Sequence, residues 1–162
     1  METSYLLLGT NVGDRSQNLA KARLEISRKI GPIITASFIY KTAAWGKTNQ
    51  ADFYNQVVVI SSTLTAYQAL DCVIEIENNM GRVRTEKWGA RIIDIDILFW
   101  GNLVINDPVL TIPHPQIPFR KFTLLPLIEI NSELIHPVSK LTITELLELC
   151  TDDLAVEKIE KI

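Results

Sequence analysis

The chain has 162 residues, 47% hydrophobic and 22% charged, which excludes disordered and fibrous classes and leaves room for a buried core without disulfides or a structural metal. Sixteen basic against 19 acidic residues give a net charge of −3, so nothing draws the whole molecule toward nucleic acid or an anionic membrane. One domain over residues 1–162 is expected, cytoplasmic and monomeric, with Cys72 and Cys150 as reduced, buried thiols because they lack paired-ligand spacing.

The chain opens on a short apolar stretch, Tyr5 to Leu8, with no basic region before it and no cleavage-like segment after it. It reads as a strand (Ser4 to Gly9) rather than a signal peptide. No apolar run reaches the roughly 18 residues of a membrane span. A turn follows, and Asp14 with Gln17 resembles a capping box for a helix whose buried stripe is Leu19, Ala22, Ile26 and Ile30. Gly31-Pro32 ends it. Ile33 to Tyr40 and Phe53 to Ser61 are β-branched and apolar enough for two strands. Their connection, carrying Trp45, Gly46, Asn49 and Asp52, is long for a hairpin and reads as a lid.

Thr65 with Gln68 caps a second helix, with Leu70, Val73 and Ile74 facing inward and Glu77 continuing that apolar face. A carboxylate there requires a partner if buried. Gly81 ends this helix, a basic segment from Arg82 to Arg91 follows, and Ile92 to Trp100 forms a strand that turns at Gly101-Asn102 into Leu103-Val104-Ile105. The order βαββαβ predicts an α+β fold with a ferredoxin-like core: an antiparallel sheet with helices packed on one face, plus a C-terminal extension. Asp107 to Pro118 is proline-rich and irregular, and Thr142 with Glu145 opens a last short helix carrying Leu146, Leu147 and Cys150.

Strand alternation puts Asp94 and Asp96 on one face, about 7 Å apart, with isoleucines on the other. On its own D-x-D also describes a strand with a wet outer face. Four cations stand just upstream, however: Arg82, Arg84, Lys87 and Arg91, with Trp88 among them. A solvated charged loop has little need of an indole. Guanidinium groups leading into paired carboxylates fit a polyphosphate held between arginines and Mg²⁺. No P-loop and no kinase glycine-rich loop occurs.

Arg82-Val83-Arg84, Lys87-Trp88-Gly89-Ala90-Arg91 and Asp94-Ile95-Asp96-Ile97-Leu98 together resemble the signature of the 6-hydroxymethyl-7,8-dihydropterin pyrophosphokinases of folate biosynthesis. The resemblance runs from Tyr5-Leu6-Leu7-Leu8-Gly9-Thr10-Asn11 through Asp52-Phe53-Tyr54-Asn55 and Ile112-Pro113-His114 to Arg120-Lys121-Phe122, and weakens beyond Pro137. It implies transfer of pyrophosphate from ATP to the pterin hydroxymethyl group, giving AMP and the pterin diphosphate. Asp94 and Asp96 would hold two Mg²⁺ ions, with Arg82 and Arg91 as catalytic groups on the phosphates. The resemblance assigns Arg84, Lys87, Trp88, Ile97, Thr111, His114 and Arg120 to the ATP side, and Thr42, Trp45, Phe53, Asn55 and Phe122 to the pterin. Phe53 and Asn55, being i and i+2 on a strand, can face one flat heterocycle without help from the resemblance.

Lys87 stands where arginine is common in that family, Ala43-Ala44 replaces a frequent Pro-Pro, and Ala90 a frequent proline, departures that bear on affinity more than activity. Two other readings exist. A ferredoxin-like RNA-binding module would need stacking rings where the central strand carries carboxylates, and a catalytically silent nucleotide sensor would not turn over ATP.

Overall fold

The computed structural model describes residues 1–44, 49–83 and 89–159. Three long strands make its centre: β1 (Glu2–Thr10), β4 (Phe53–Ser62) and β5 (Asp94–Trp100), with β1 pairing antiparallel to both others. Between β1 and β4 in the chain come α1 (Arg15–Lys29), β2 (Ile33–Ala36) and β3 (Tyr40–Thr42), and α2 (Ala66–Asn79) connects β4 to β5. Both β2 and β3 pair with β4. Read as one interrupted strand, they complete the ferredoxin-like order β5-β1-β4-β2/β3.

The single strand expected over Ile33 to Tyr40 is thus broken. Ala36 lies opposite Val58 and Tyr40 opposite Asn55, so one extra residue must be absorbed between them. Ser37 absorbs it: its N–H reaches the Val57 carbonyl, its hydroxyl accepts from Val57 N at 3.1 Å, and its carbonyl accepts from Gln56 Nε2 at 2.8 Å. Another expectation also changes. Leu103 to Ile105 does not form a hairpin with β5; instead β6 (Ile105–Asn106) pairs with β7 (Thr111–Ile112) in a separate small sheet.

The remaining elements are α3 (Lys121–Asn131), α4 (Ile143–Leu149) and β8 (Val156–Lys158), the last pairing with β3 at the sheet edge. They correct the expectation of helices on one face. Leu6, Leu8, Val58 and Ile60 join the core under α1 and α2, whereas Tyr5, Leu7, Val57 and Val59, one residue out of phase, pack with Leu124, Leu127, Ile143 and Leu146 of α3 and α4. Apolar residues on both faces of the central strands require cover on both sides.

Helix boundaries follow their caps. Asp14 accepts from Gln17 N at 3.0 Å, and at Thr65 and Thr142 both halves of a capping box form. The stripe of α1 is buried as expected, but the buried face of α2 is Ala66, Ala69, Val73, Ile76 and Glu77. Leu70 is only half-buried and Ile74 is 40% exposed, because both turn toward a cleft that also reaches Asp94. The thiols of Cys72 and Cys150 are half-buried rather than buried, at the margins of the two cores. Gly31 closes α1 where the backbone of β4 comes so near that a Cβ would lie 2.1 Å from the Ser61 carbonyl oxygen.

Candidate active site

Register alone assembles the first part of the site. Gly9 of β1 pairs with Asp94 on one side and Asn55 on the other, and Leu7 pairs with Asp96. Directly paired residues share a sheet face, so both carboxylates and the Asn55 amide stand on the α3 side of the sheet with Gly9 between them. Gly9 keeps that space open: a Cβ there would sit 3.1 Å from Asn55 Oδ1 and 3.8 Å from the Phe53 ring. Phe53 follows two residues before Asn55 on the same face, and Phe122, in the first turn of α3, closes the pocket with Thr42 and Ala43. Asn55 Nδ2 is buried and has no hydrogen-bond partner among the described residues. A buried, unpaired amide in an aromatic slot fits a flat heterocycle with hydrogen-bond acceptors on its edge.

A second cleft lies beyond the carboxylates, walled by Leu70, Val73, Ile74, Val109 and His114. Arg91, Asp94, Asp96 and Arg120 line both spaces. The carboxylates and arginines therefore stand between a slot for a planar ring and a cleft with one apolar side, where a group could pass from one bound molecule to the other.

Asp94 is held by two guanidinium groups, Arg82 Nη1 at 2.7 Å from Oδ1 and Arg91 Nη1 at 2.6 Å from Oδ2. Arg82 also lies 2.6 Å from Glu77 Oε1, which accepts from Ile95 N at 2.8 Å. That is the partner the buried Glu77 needs. Asp96 is less well matched, with His114 Nε2 and Arg120 Nη1 both 3.8 Å away. Burial, then the like charge of Asp94, push its carboxyl up to about 7, against the pull of Arg120. Burial, with Arg120 beside it, depresses the His114 imidazole to about 4. A half-buried pair of carboxylates with one member poorly neutralised is a place for a hard cation. Among the described residues no group of three or more His, Cys, Asp or Glu surrounds a common point, so further ligands to such a cation would come from a substrate or water.

Residues 5–132 match the 7,8-dihydro-6-hydroxymethylpterin-pyrophosphokinase (HPPK) family. The chain belongs to this family. It is 39% identical over 153 residues to the 2-amino-4-hydroxy-6-hydroxymethyldihydropteridine pyrophosphokinase of Haemophilus influenzae, covering 94% of this chain and 95% of that one. The same identity holds over 145 residues with the Aquifex aeolicus pyrophosphokinase, at 90% of each chain. The wild-type HPPK-DHPS of Plasmodium falciparum, crystallised with pteroate, shares the fold at a TM-score of 0.72 and 18% identity. That match covers 91% of this chain and 44% of the solved one, so the chain spans less than half the length of that protein. The family's activity is the activity of this chain: pyrophosphoryl transfer to hydroxymethyldihydropterin in folate synthesis.

Of the residues singled out from the sequence, the structure gathers Thr42, Phe53, Asn55, Arg91, Asp94, Asp96, Arg120 and Phe122 around the first pocket, and Arg82 and His114 around the second. Ile97 is 5% exposed and belongs to the core under α1 and α2, and Thr111 pairs with Asn106 in the small sheet; neither lines the two spaces. Trp45, Arg84, Lys87 and Trp88 lie outside the described residues.

Sequence reasoning gave no role to Asn11, although its side chain accepts from Arg91 N at 2.8 Å and donates to the Ala51 carbonyl at 3.1 Å, touching both loops that flank the site. It also missed Val109, whose only sequence signal is an apolar residue in an irregular segment.

Proposed function

We propose that Phe53 and Phe122 hold the pterin ring between them and that Asn55 and Thr42 read its edge. The triphosphate of ATP would then lie across Asp94 and Asp96, with the base against Leu70, Ile74 and Val109. The observation that carries this reading is the pair of carboxylates shared by an aromatic slot and an apolar-sided cleft. Asp94 and Asp96 fit Mg²⁺ through hard oxygens on one face of a rigid strand, and substrate phosphates would supply other ligands. Bound there, Mg²⁺ would neutralise phosphate oxygens as a Lewis acid.

The other steps belong to the chain's own side chains. Arg82 and Arg91 are ion-paired with Asp94 and would reach the phosphates lying across it, meeting the charge that develops as the pterin hydroxyl attacks and AMP departs. His114 and Arg120 flank Asp96 and would steady the same polyphosphate. With the pterin ring between Phe53 and Phe122, the slot would shield the hydroxymethyl group from water and so limit hydrolysis of ATP. Among the described residues no helix is long and apolar enough to cross a membrane. Residues 1–162 would act as one domain, a cytoplasmic monomer.

The deciding experiment combines product analysis with binding. Phosphorus NMR of a reaction with ATP, Mg²⁺ and 6-hydroxymethyl-7,8-dihydropterin should give AMP and the pterin diphosphate in equal amounts. Asp94→Ala and Asp96→Ala should abolish turnover and weaken the Mg²⁺ dependence of ATP-analogue binding, with circular dichroism unchanged. Wild-type turnover in excess EDTA would remove the cation from this reading.

A further inference from the structure

Helix α3 presents Phe122 to the first pocket, yet its own sequence holds its first turn weakly. Arg120, at the N-cap position, makes no side-chain capping bond, and Pro126 inside the helix has no N–H with which to reach back to the Phe122 carbonyl. The missing cap comes from far along the chain. Asp152 Oδ2 accepts from Lys121 N at 3.0 Å, while its other oxygen accepts from Leu154 N at 3.1 Å. A carboxylate at this point satisfies an orphan donor and opposes the positive end of the helix dipole.

The same stretch reaches the opposite wall of the pocket within a few residues. The Thr42 hydroxyl donates to the Ala155 carbonyl at 3.3 Å, and β8 pairs with β3 in the register Thr42 to Val156 and Tyr40 to Lys158. Lys41 and Glu157 form an ion pair at 2.9 Å, and Ile159 N donates to the Ile39 carbonyl at 2.8 Å. Residues 152–158 thus touch both walls of the slot, Thr42 on β3 and the Phe122 turn of α3, although the family match ends at residue 132.

We propose that residues 152–158 are a brace that sets the width of the pterin slot, and that Asp152 is a positioning residue for Phe122. This rests on the reading of Phe122 and Thr42 as walls of the pterin site. Asp152 touches neither substrate. It acts through the backbone of Lys121, so its loss should loosen the slot, with a smaller effect on Arg120 beside it, and leave Asp94, Asp96, Arg82, Arg91 and the α2 wall of the nucleotide cleft as they are.

The test is the division of effect between the two substrates. In Asp152→Ala the KM and the equilibrium Kd for 6-hydroxymethyl-7,8-dihydropterin should rise about tenfold, the factor that corresponds to about 1.4 kcal/mol for one charge-assisted bond. The kcat at saturating pterin and the KM for ATP should stay within about twofold, since uniform binding of one substrate is what is lost. Asp152→Asn, which keeps one carbonyl oxygen for Lys121 N, should show a smaller rise in the same direction, and carries the test if the alanine variant does not fold. Phe122→Ala is the control. If Phe122→Ala weakens pterin binding while both Asp152 variants bind it as the wild type does, the brace is overturned and the reading of the slot stands. If Phe122→Ala binds pterin normally, the reading of the slot fails and the brace with it. Equal losses for ATP and pterin in the Asp152 variants would mark general loosening and overturn the proposal as well.

Discussion

Arg82 is the residue where stability and chemistry meet. Its side chain is 9% exposed, and its guanidinium lies between Glu77, whose side chain is 3% exposed, and Asp94. Arg91 has 22% of its side chain exposed and, among the described residues, forms its ion pair with Asp94 alone. Both arginines face the phosphates in the proposed complex, so Arg82→Ala and Arg91→Ala should each lower kcat by about three orders of magnitude, with much smaller changes in ATP affinity. Their stabilities should differ. Removing Arg82 takes a guanidinium from between two carboxylates, one of them almost fully buried, and should cost about 3 kcal/mol in urea unfolding, whereas removing Arg91 takes a partner from Asp94 alone and should cost less than about 1 kcal/mol. Equal midpoints for the two variants would mean that Glu77 does not depend on Arg82 for its neutralisation.

At the scale of elements, the caps were legible and the faces less so. The pattern Thr65 with Gln68 is local chemistry, and both of its reciprocal bonds form. Thr65→Ala should therefore destabilise the protein by about 1 kcal/mol. Because Thr65 lies three turns from Glu77, kcat should be unchanged, and a parallel fall in kcat would mean that fraying at the start of α2 reaches the site. The orientation of α2 was harder to read, since Leu70 and Ile74 look like core residues at helical spacing. Leu70 does pack against the edge of the core but also walls the cleft, and the exposed Ile74 lies on the cleft wall. Periodicity reports apolar positions without naming what covers them. The break at Ser37 was likewise hidden: an extra residue in a strand shows only when its partner strand is counted against it.

Across the whole molecule, pH acts through a histidine remote from the chemistry. His136 is 7% exposed, packs edge-on to Phe99, and accepts at Nδ1 from Val138 N and Ser139 N, at 3.3 and 3.2 Å. Burial holds its pKa below the ordinary value of 6.5. A histidine depressed in the folded state contributes stability that is complete above its unfolded pKa and is lost as pH falls from there toward its folded value. The His136 contribution to the unfolding free energy should thus decline below about pH 6.5, by no more than about 1.4 kcal/mol per pH unit. The raised carboxyl of Asp96 contributes in the opposite sense between about pH 7 and 4. His114, depressed to about 4, adds a decline of the same sign as that of His136. In His136→Asn, which can still accept one of the two N–H bonds, the slope between pH 6.5 and 5 should be shallower by the His136 share, as read from urea denaturation in that range. An unchanged slope would mean that His136 titrates alike in folded and unfolded chains.

By itself the sequence determined the order of the main elements, the helix starts, and the carboxylates with their arginines, because each is a short-range pattern: a cap three residues long, a strand alternation of two, a cluster of charges within one loop. Gly9 opposite both Asp94 and Asn55 could be inferred only once the strands were paired. What the tertiary structure alone decided depends on residues far apart in the chain. It placed helices on both faces of the sheet, gave Glu77 its guanidinium partner, joined Asn11 to two loops, and brought Asp152 to cap the helix that carries Phe122. A capping residue supplied from another part of the chain obeys the same electrostatics as a local one, but its spacing is set by the fold and leaves no repeat in the sequence.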